Sequence, residues 1–308
     1  MGLILTYKID FFALFIFLGV AQGVFFGSVF LFQKSTDSLS NRLLAFLLLT
    51  FSAVIGEVFL CYTNLMFEVL WLVDFSEPAN FLFAPLCYLY LQSKLSNVPF
   101  KSKQYLHFLP FGLYSVYMGI IHFPQSLAYK YNCYIDVYHP ALPKLETFVY
   151  WEYKEVFFVR SLVNEWMALQ LFIYLFLSFR SLLKCFQAQK LSFFSNQIEY
   201  LASSRHLFLQ YVSILVLFVA VKIGFDRDLG DHILAAHIAL VIYIISFQVI
   251  RKSLFLHIPS ELTGEKTAKK YEKSSLTPET QANTLHKLQV LMDEQKPFLQ
   301  ASFSLPTR

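Results

Sequence analysis

Runs of about 20 apolar residues recur along most of this chain, and a helix of that length crosses the hydrocarbon core of a bilayer. The first, FFALFIFLGVAQGVFFGSVFLF at Phe11–Phe32, contains no charged residue. Others lie at Leu43–Cys61, Val73–Leu91, Tyr105–His122, Phe158–Leu182, Leu207–Ile223 and His232–Ile250. Lipid offers no hydrogen bonds to backbone amides, so each run is expected to satisfy its own as a helix. The expected fold class is therefore all-α, an integral membrane bundle of about seven transmembrane helices with a short cytoplasmic helical tail. Composition agrees, with 56% apolar and 15% charged residues against about 25% charged in soluble domains. The third run is the least regular, since it carries Asp74, Glu77, Pro78 and Pro85.

The runs divide the chain into a membrane domain, Met1–Leu256, and a polar tail, His257–Arg308. Lys and Arg gather in alternate connections: Lys34 and Arg42; Lys94, Lys101 and Lys103; Arg180, Lys184, Lys190 and Arg205; then Arg251 and Lys252. Such connections stay cytoplasmic, which places the N-terminus outside and the tail inside. Lys222 and Arg227 run against this pattern, in a connection that also holds Asp226, Asp228 and Asp231. The formal charge of +4 thus follows membrane topology and not a nucleic-acid-binding patch. Phe11–Phe32 is too long for a signal-peptide core and no A-x-A site follows, so it is expected to remain as a spanning helix.

The long outer connection Phe123–Val156 is rich in tyrosine. It reads either as an interfacial aromatic belt or as a lid over an external ligand site. Cys61 and Cys133 would share the oxidising face, where they are a candidate disulfide pair. The four cysteines show no metal-ligand spacing, and no cofactor motif is present.

Ionisable residues within spanning runs are costly and mark candidate sites. Glu57, Glu77, Arg160, Glu165 and His237 form a candidate ligand or sensing pocket, with His232 near it. The competing reading is that they pair between helices and hold the bundle together. HEXXH, GxSxG and P-loop patterns are absent, and so is any nucleophile with its base, so no enzyme is expected. A small-solute transporter using Glu57, Glu77 and Glu165 is a further alternative, although no second half mirrors the first.

The tail has its own signature. Thr277 as N-cap, Pro278 at the first helical position and Glu279 in the first turn predict a helix start. Ala282, Leu285, Leu288, Leu291 and Met292 then recur at helical spacing, and Pro297 ends the run. Glu261–Ser275 reads as the linker before it. Such an apolar stripe calls for a partner: a following domain, another copy or the membrane surface.

The stretch KYEKSSLTPETQANTLHKLQVLMDEQKPFLQASFSLP resembles the connector between a multi-span membrane domain and the DNA-binding domain of bacterial AraC-type transcription regulators. The pattern stands here as Lys270, Tyr271, Ser274, Leu276, Pro278 and Glu279, then Leu288, Leu291, Met292, Lys296, Pro297, Phe298 and Leu299. FLFAPLCYLYLQSKL at Phe81–Leu95 and LHFLPFGLY at Leu106–Tyr114 are similar to membrane helices of the same family. The resemblance implies a sensor in the bacterial inner membrane that signals through this connector, as a homodimer or with another regulator. That family continues after FSLP into helix-turn-helix units, whereas Thr307 and Arg308 close this sequence. The expectation is a sensor portion that lacks those units and does not itself bind DNA, with its ligand unknown. The alternative of another class is a stand-alone multi-span membrane protein whose tail docks onto a different subunit.

Overall fold

The computed structural model describes residues 6–33, 38–96, 101–148 and 154–255, together with 283, 284, 286, 287 and 290 of the tail. The described residues form nine α-helices and no strand. They are α1 (Phe11–Phe32), α2 (Ser38–Tyr62), α3 (Phe83–Leu95), α4 (Leu109–Ile121), α5 (Leu127–Tyr138), α6 (Lys154–Ser161), α7 (Val163–Ala188), α8 (Glu199–Gly224) and α9 (Asp231–Phe255). The chain separates into two units, Met1–Arg251 and Lys252–Arg308. The described tail positions are helical. The connector residues Pro278, Leu285, Leu288, Leu291, Met292 and Pro297 lie outside the described residues.

Five helices, α1, α2, α7, α8 and α9, are long and apolar enough to cross a membrane. Where the third and fourth runs lie, the structure departs from two long helices. α3 and α4 have 13 residues each, and 3-10 segments lead into them at Glu77–Leu82 and Ser102–Phe108. Proline sets the boundaries. Pro78, Pro85 and Pro110 all fall within the first three residues of their segments, where the missing amide breaks no hydrogen bond. The expected start at Val73 is displaced because Asp74 takes the left-handed conformation, with φ of 62°, and turns the chain before any helix begins. The fifth run is likewise divided, at Leu162, into α6 and α7.

Large apolar side chains cover the outside of the long helices. On α7, Trp166, Phe172 and Phe176 are 53%, 61% and 52% exposed. A surface of that kind suits lipid and not water. Inside, Leu47, Leu48 and Phe51 of α2, Leu89 of α3, Phe186 of α7, Tyr211 of α8 and Ile242 of α9 belong to one buried cluster.

α1 joins this core through its smallest residues. Gly19, Gly23 and Gly27 recur every fourth position on its buried face. A Cβ at Gly19 would lie 2.5 Å from Ala239 Cβ on α9, and one at Gly23 would lie 2.2 Å from Ser52 Oγ on α2. The absent side chains let the backbones approach, and in a membrane close contact is what drives helix association. Tyr243 of α9 adds a hydrogen bond, donating to the Phe15 carbonyl at 2.7 Å.

The α7–α8 connection is held by a buried guanidinium. Arg205 is 4% exposed. It donates to the carbonyls of Phe193 at 2.8 Å and Ser195 at 3.0 Å, and to Asn196 Oδ1 at 2.6 Å. One side chain therefore satisfies a loop that has no regular structure of its own.

Candidate functional site

The site lies where α2 ends and α1 begins, an end marked by the Tyr62 hydroxyl donating to Asp10 Oδ2 at 2.6 Å. α5 covers it. Ser126 caps that helix by accepting from the Tyr129 amide, as N-cap serines do. Tyr134 and Ile135 are buried against Cys61, Met66 and Val73.

Polar contacts fasten α5 along its length. The Tyr134 hydroxyl donates to the Cys61 carbonyl at 2.8 Å, and His139 Nε2 lies 2.9 Å from Asn64 Oδ1. Lys130 donates to the Trp71 carbonyl at 3.1 Å. From the α8–α9 connection, Arg227 reaches both the carbonyl and Oδ2 of Asp136, each at 2.6 Å. Hydrogen bonds from Lys144 and Arg227 hold the Asp136 carboxyl below its ordinary pKa. Burial pushes the Cys133 thiol up and the His139 imidazole down.

A cavity of about 320 Å³ touches residues of α2, α3, α5, α6, α7, α8 and α9. One wall is the turn that precedes α3. Glu57 of α2 accepts from the Asp74 amide at 2.7 Å, the Ser76 amide at 2.8 Å and Ser76 Oγ at 2.5 Å. Three donors thus converge on this one side chain and pin the turn to α2.

Arg160 of α6 crosses the opening of that turn. It pairs with Asp74, and its Nε lies 3.3 Å from Glu77 Oε2. Arg160 Nη1 also donates to His122 Nδ1 at 3.2 Å. With Nδ1 accepting, the ring proton sits on Nε2, which faces the Val73 carbonyl at 3.2 Å and Asp74 Oδ2 at 3.2 Å. One neutral tautomer, assigned from these partners, satisfies all three contacts. Tyr114 of α4 donates to Glu77 Oε1 at 2.7 Å. Glu77 Oε2 is sealed from solvent and receives no hydrogen bond. The opposite wall carries a second ion cluster, in which Lys222 of α8 meets Asp228 at 2.7 Å and Asp231 at 2.8 Å.

Of the residues singled out in the sequence, Glu57, Glu77 and Arg160 line this one cavity, and so do Cys61 and Cys133. Both cysteines are free thiols and not a disulfide. Glu165 does not join them. One residue past Asn164, which does line the cavity, it sits on the exposed face of α7. His237 also lies elsewhere, 2.9 Å from Ser213 between α9 and α8, and His232 stacks on Tyr62.

Lys222, Asp228 and Asp231 also line the cavity, although in the sequence they read as a connection, and so does Asp74, which lies in the third run but was not among the candidate residues. The signal of Lys222, Asp228 and Asp231 was present in the connection whose Lys222 and Arg227 broke the charge pattern. Residues that share a buried ion cluster are not free to report topology. Among the described residues no three His, Cys, Asp or Glu side chains converge as metal ligands do. The arrangement can bind and polarise a small molecule, because its ion pairs are fixed in a partly apolar enclosure. No known protein family, curated protein or solved structure matches this chain.

Proposed function

We propose that this chain is the membrane sensor of an AraC-type transcription regulator and that its ligand binds in the cavity beneath α5. In this reading seven helices cross the bacterial inner membrane, with α3 and α4 completed by their 3-10 leads. The N-terminus and α5 face outward and the tail is cytoplasmic. The observation that carries the reading is the fastened helix beside a charged cavity: α5 ties to the α8–α9 connection through Asp136 and Arg227.

A ligand changes a receptor only if it binds two of its states unequally. Here it would compete for Arg160, whose partners come from the Asp74–Glu77 turn and the end of α4. It would also meet the Lys222–Asp231 pair at the start of α9. α9 is the helix that leads toward the tail, so in this reading a shift at Asp231 is passed along it. The tail supports the regulator half of the proposal through its resemblance to the family's connector, and its apolar stripe suits pairing with a second copy.

The test is a fusion that reports dimerisation through transcription, joined after Arg308. Expression normalised to the amount of receptor in the membrane should respond to Arg160→Met and Glu57→Gln. A cysteine introduced at Glu146 should react with an impermeant reagent from outside the cell. A reporter indifferent to both cavity variants would refute coupling, and labelling only after lysis would reverse the topology.

A further inference from the structure

α7 ends in a surface that the cavity does not explain. Phe172, Phe176, Arg180 and Lys184 stand four residues apart, so they form one stripe along the helix. All four are exposed, Phe172 at 61% and Phe176 at 52%. The stripe changes from hydrocarbon to cation within one turn, and the Arg180 guanidinium lies 5.8 Å from the Phe176 ring at the junction. Lys190 adds a third exposed charge where the helix closes. Its amide donates to the Gln187 carbonyl and the Leu191 amide to the Phe186 carbonyl, both at 2.9 Å, with Lys190 left-handed at a φ of 54°. Glycine is the usual residue at that position, so lysine brings its charge there at a conformational cost.

The connection that follows holds an aromatic ring near these charges. Arg205 donates to the carbonyls of Phe193 and Ser195, the residues on either side of Phe194. Phe193 packs against Phe179 and Phe186, with ring centroids 5.7 and 5.4 Å apart. Phe194 stands edge-on to Phe193 at 5.3 Å and is 75% exposed. The backbone on both sides is fixed, so the ring is held outward. Among the described residues no carboxylate pairs with Arg180, Lys184 or Lys190, and Glu199 is the one acid between positions 180 and 205. Exposed cations beside exposed phenylalanine match the boundary of a bilayer, where phosphates overlie hydrocarbon. The stripe also runs without a break into the apolar outer face of α7, which favours lipid over a protein partner.

We propose that the end of α7 and its connection to α8 form a docking surface for anionic phospholipid. Arg180, Lys184 and Lys190 meet the headgroup phosphates, and Phe194 enters the acyl region. This inference goes beyond the ligand cavity and does not depend on it. A basic residue near an anionic membrane surface is worth about fivefold in binding. The test uses the full chain carrying Phe194→Trp in phosphatidylcholine vesicles that contain brominated phosphatidylglycerol or brominated phosphatidylcholine. Bromine on the acyl chain quenches tryptophan on contact. Emission of the parent chain is subtracted, so that the signal reports position 194 alone.

Half-quenching should need less brominated phosphatidylglycerol than brominated phosphatidylcholine by about fivefold or more. Arg180→Gln, Lys184→Gln and Lys190→Gln together should bring the two lipids level while quenching by phosphatidylcholine persists. Lys184→Gln alone should narrow the gap, and serves if the triple variant fails to fold. Equal quenching by both lipids before any charge is removed would overturn the headgroup assignment, and so would a preference that survives the triple variant. Quenching by aqueous acrylamide and by neither lipid would place Phe194 in water and overturn the surface itself.

Discussion

Replacing Gly19 by alanine sets a methyl carbon 2.5 Å from Ala239 Cβ and 3.0 Å from Ala239 Cα. Apolar carbons rest about 3.5–4.0 Å apart, so α1 must retreat from α9 by roughly 1 Å. Neither neighbouring atom can rotate away. Overpacking of this kind costs about 1–3 kcal/mol. Alanine also favours a helix over glycine by up to about 1 kcal/mol, which obscures the single measurement. Gly119→Ala removes that ambiguity, because a Cβ there meets nothing within 4 Å. The helix preference cancels between the two variants, and Gly19→Ala should be less stable than Gly119→Ala by about 1–3 kcal/mol. SDS titration in bicelles, followed by circular dichroism, reads this difference. Adding Ala239→Gly to Gly19→Ala should recover much of the loss, as expected for residues in contact. Equal stability of Gly19→Ala and Gly119→Ala would refute the claim that α1 docks through its glycine face.

Arg160→Met leaves Asp74 and Glu77 without their cation and should cost about 1–3 kcal/mol in the same titration, because partly buried carboxylates lose their partner. Arg205→Leu deprives three acceptors in the 193–196 loop of their donor, so amide exchange in that loop should accelerate while α5 is unchanged. Asp136 is held below its ordinary pKa by Lys144 and Arg227. Its hold on the α8–α9 connection should thus be constant from neutral pH down to about 4, the unfolded value, and fade as pH falls through the lowered one. Exchange of α5 amides against pH measures this, and Asp136→Asn should abolish the dependence.

The helical class and the long spans were legible because lipid demands continuous apolar runs, and α1 begins and ends where its run does. Apolar content does not encode how a helix starts, so the 3-10 leads before α3 and α4 were hidden. Pro78, Pro85 and Pro110 were the visible clue. The glycines of α1 stand at regular fourfold spacing, yet their meaning depends on Ala239 and Ser52, which are remote in sequence. Within the site, Glu57, Glu77 and Arg160 were legible through the cost of charge in lipid. Glu165 carries the same cost on paper, but which side of α7 it occupies is decided by packing against neighbours. Lys222, Asp228 and Asp231 were hidden for the opposite reason, since charges at a helix end look ordinary until another wall closes over them.

Asp74 answers to three demands at once. Its backbone is left-handed, its amide serves Glu57 seventeen residues earlier, and its carboxylate serves Arg160 and His122. Glycine, asparagine and aspartate are the residues that enter this conformation readily, and of these only aspartate is anionic. Replacement of the exposed phenylalanines by other apolar residues should therefore be tolerated where replacement of Asp74 is not. A chain that has diverged beyond overall similarity would still be expected to keep a glutamate, the same interval and then Asp-x-Ser-Glu, which makes that short spacing a better probe for distant kin than any of the long apolar helices.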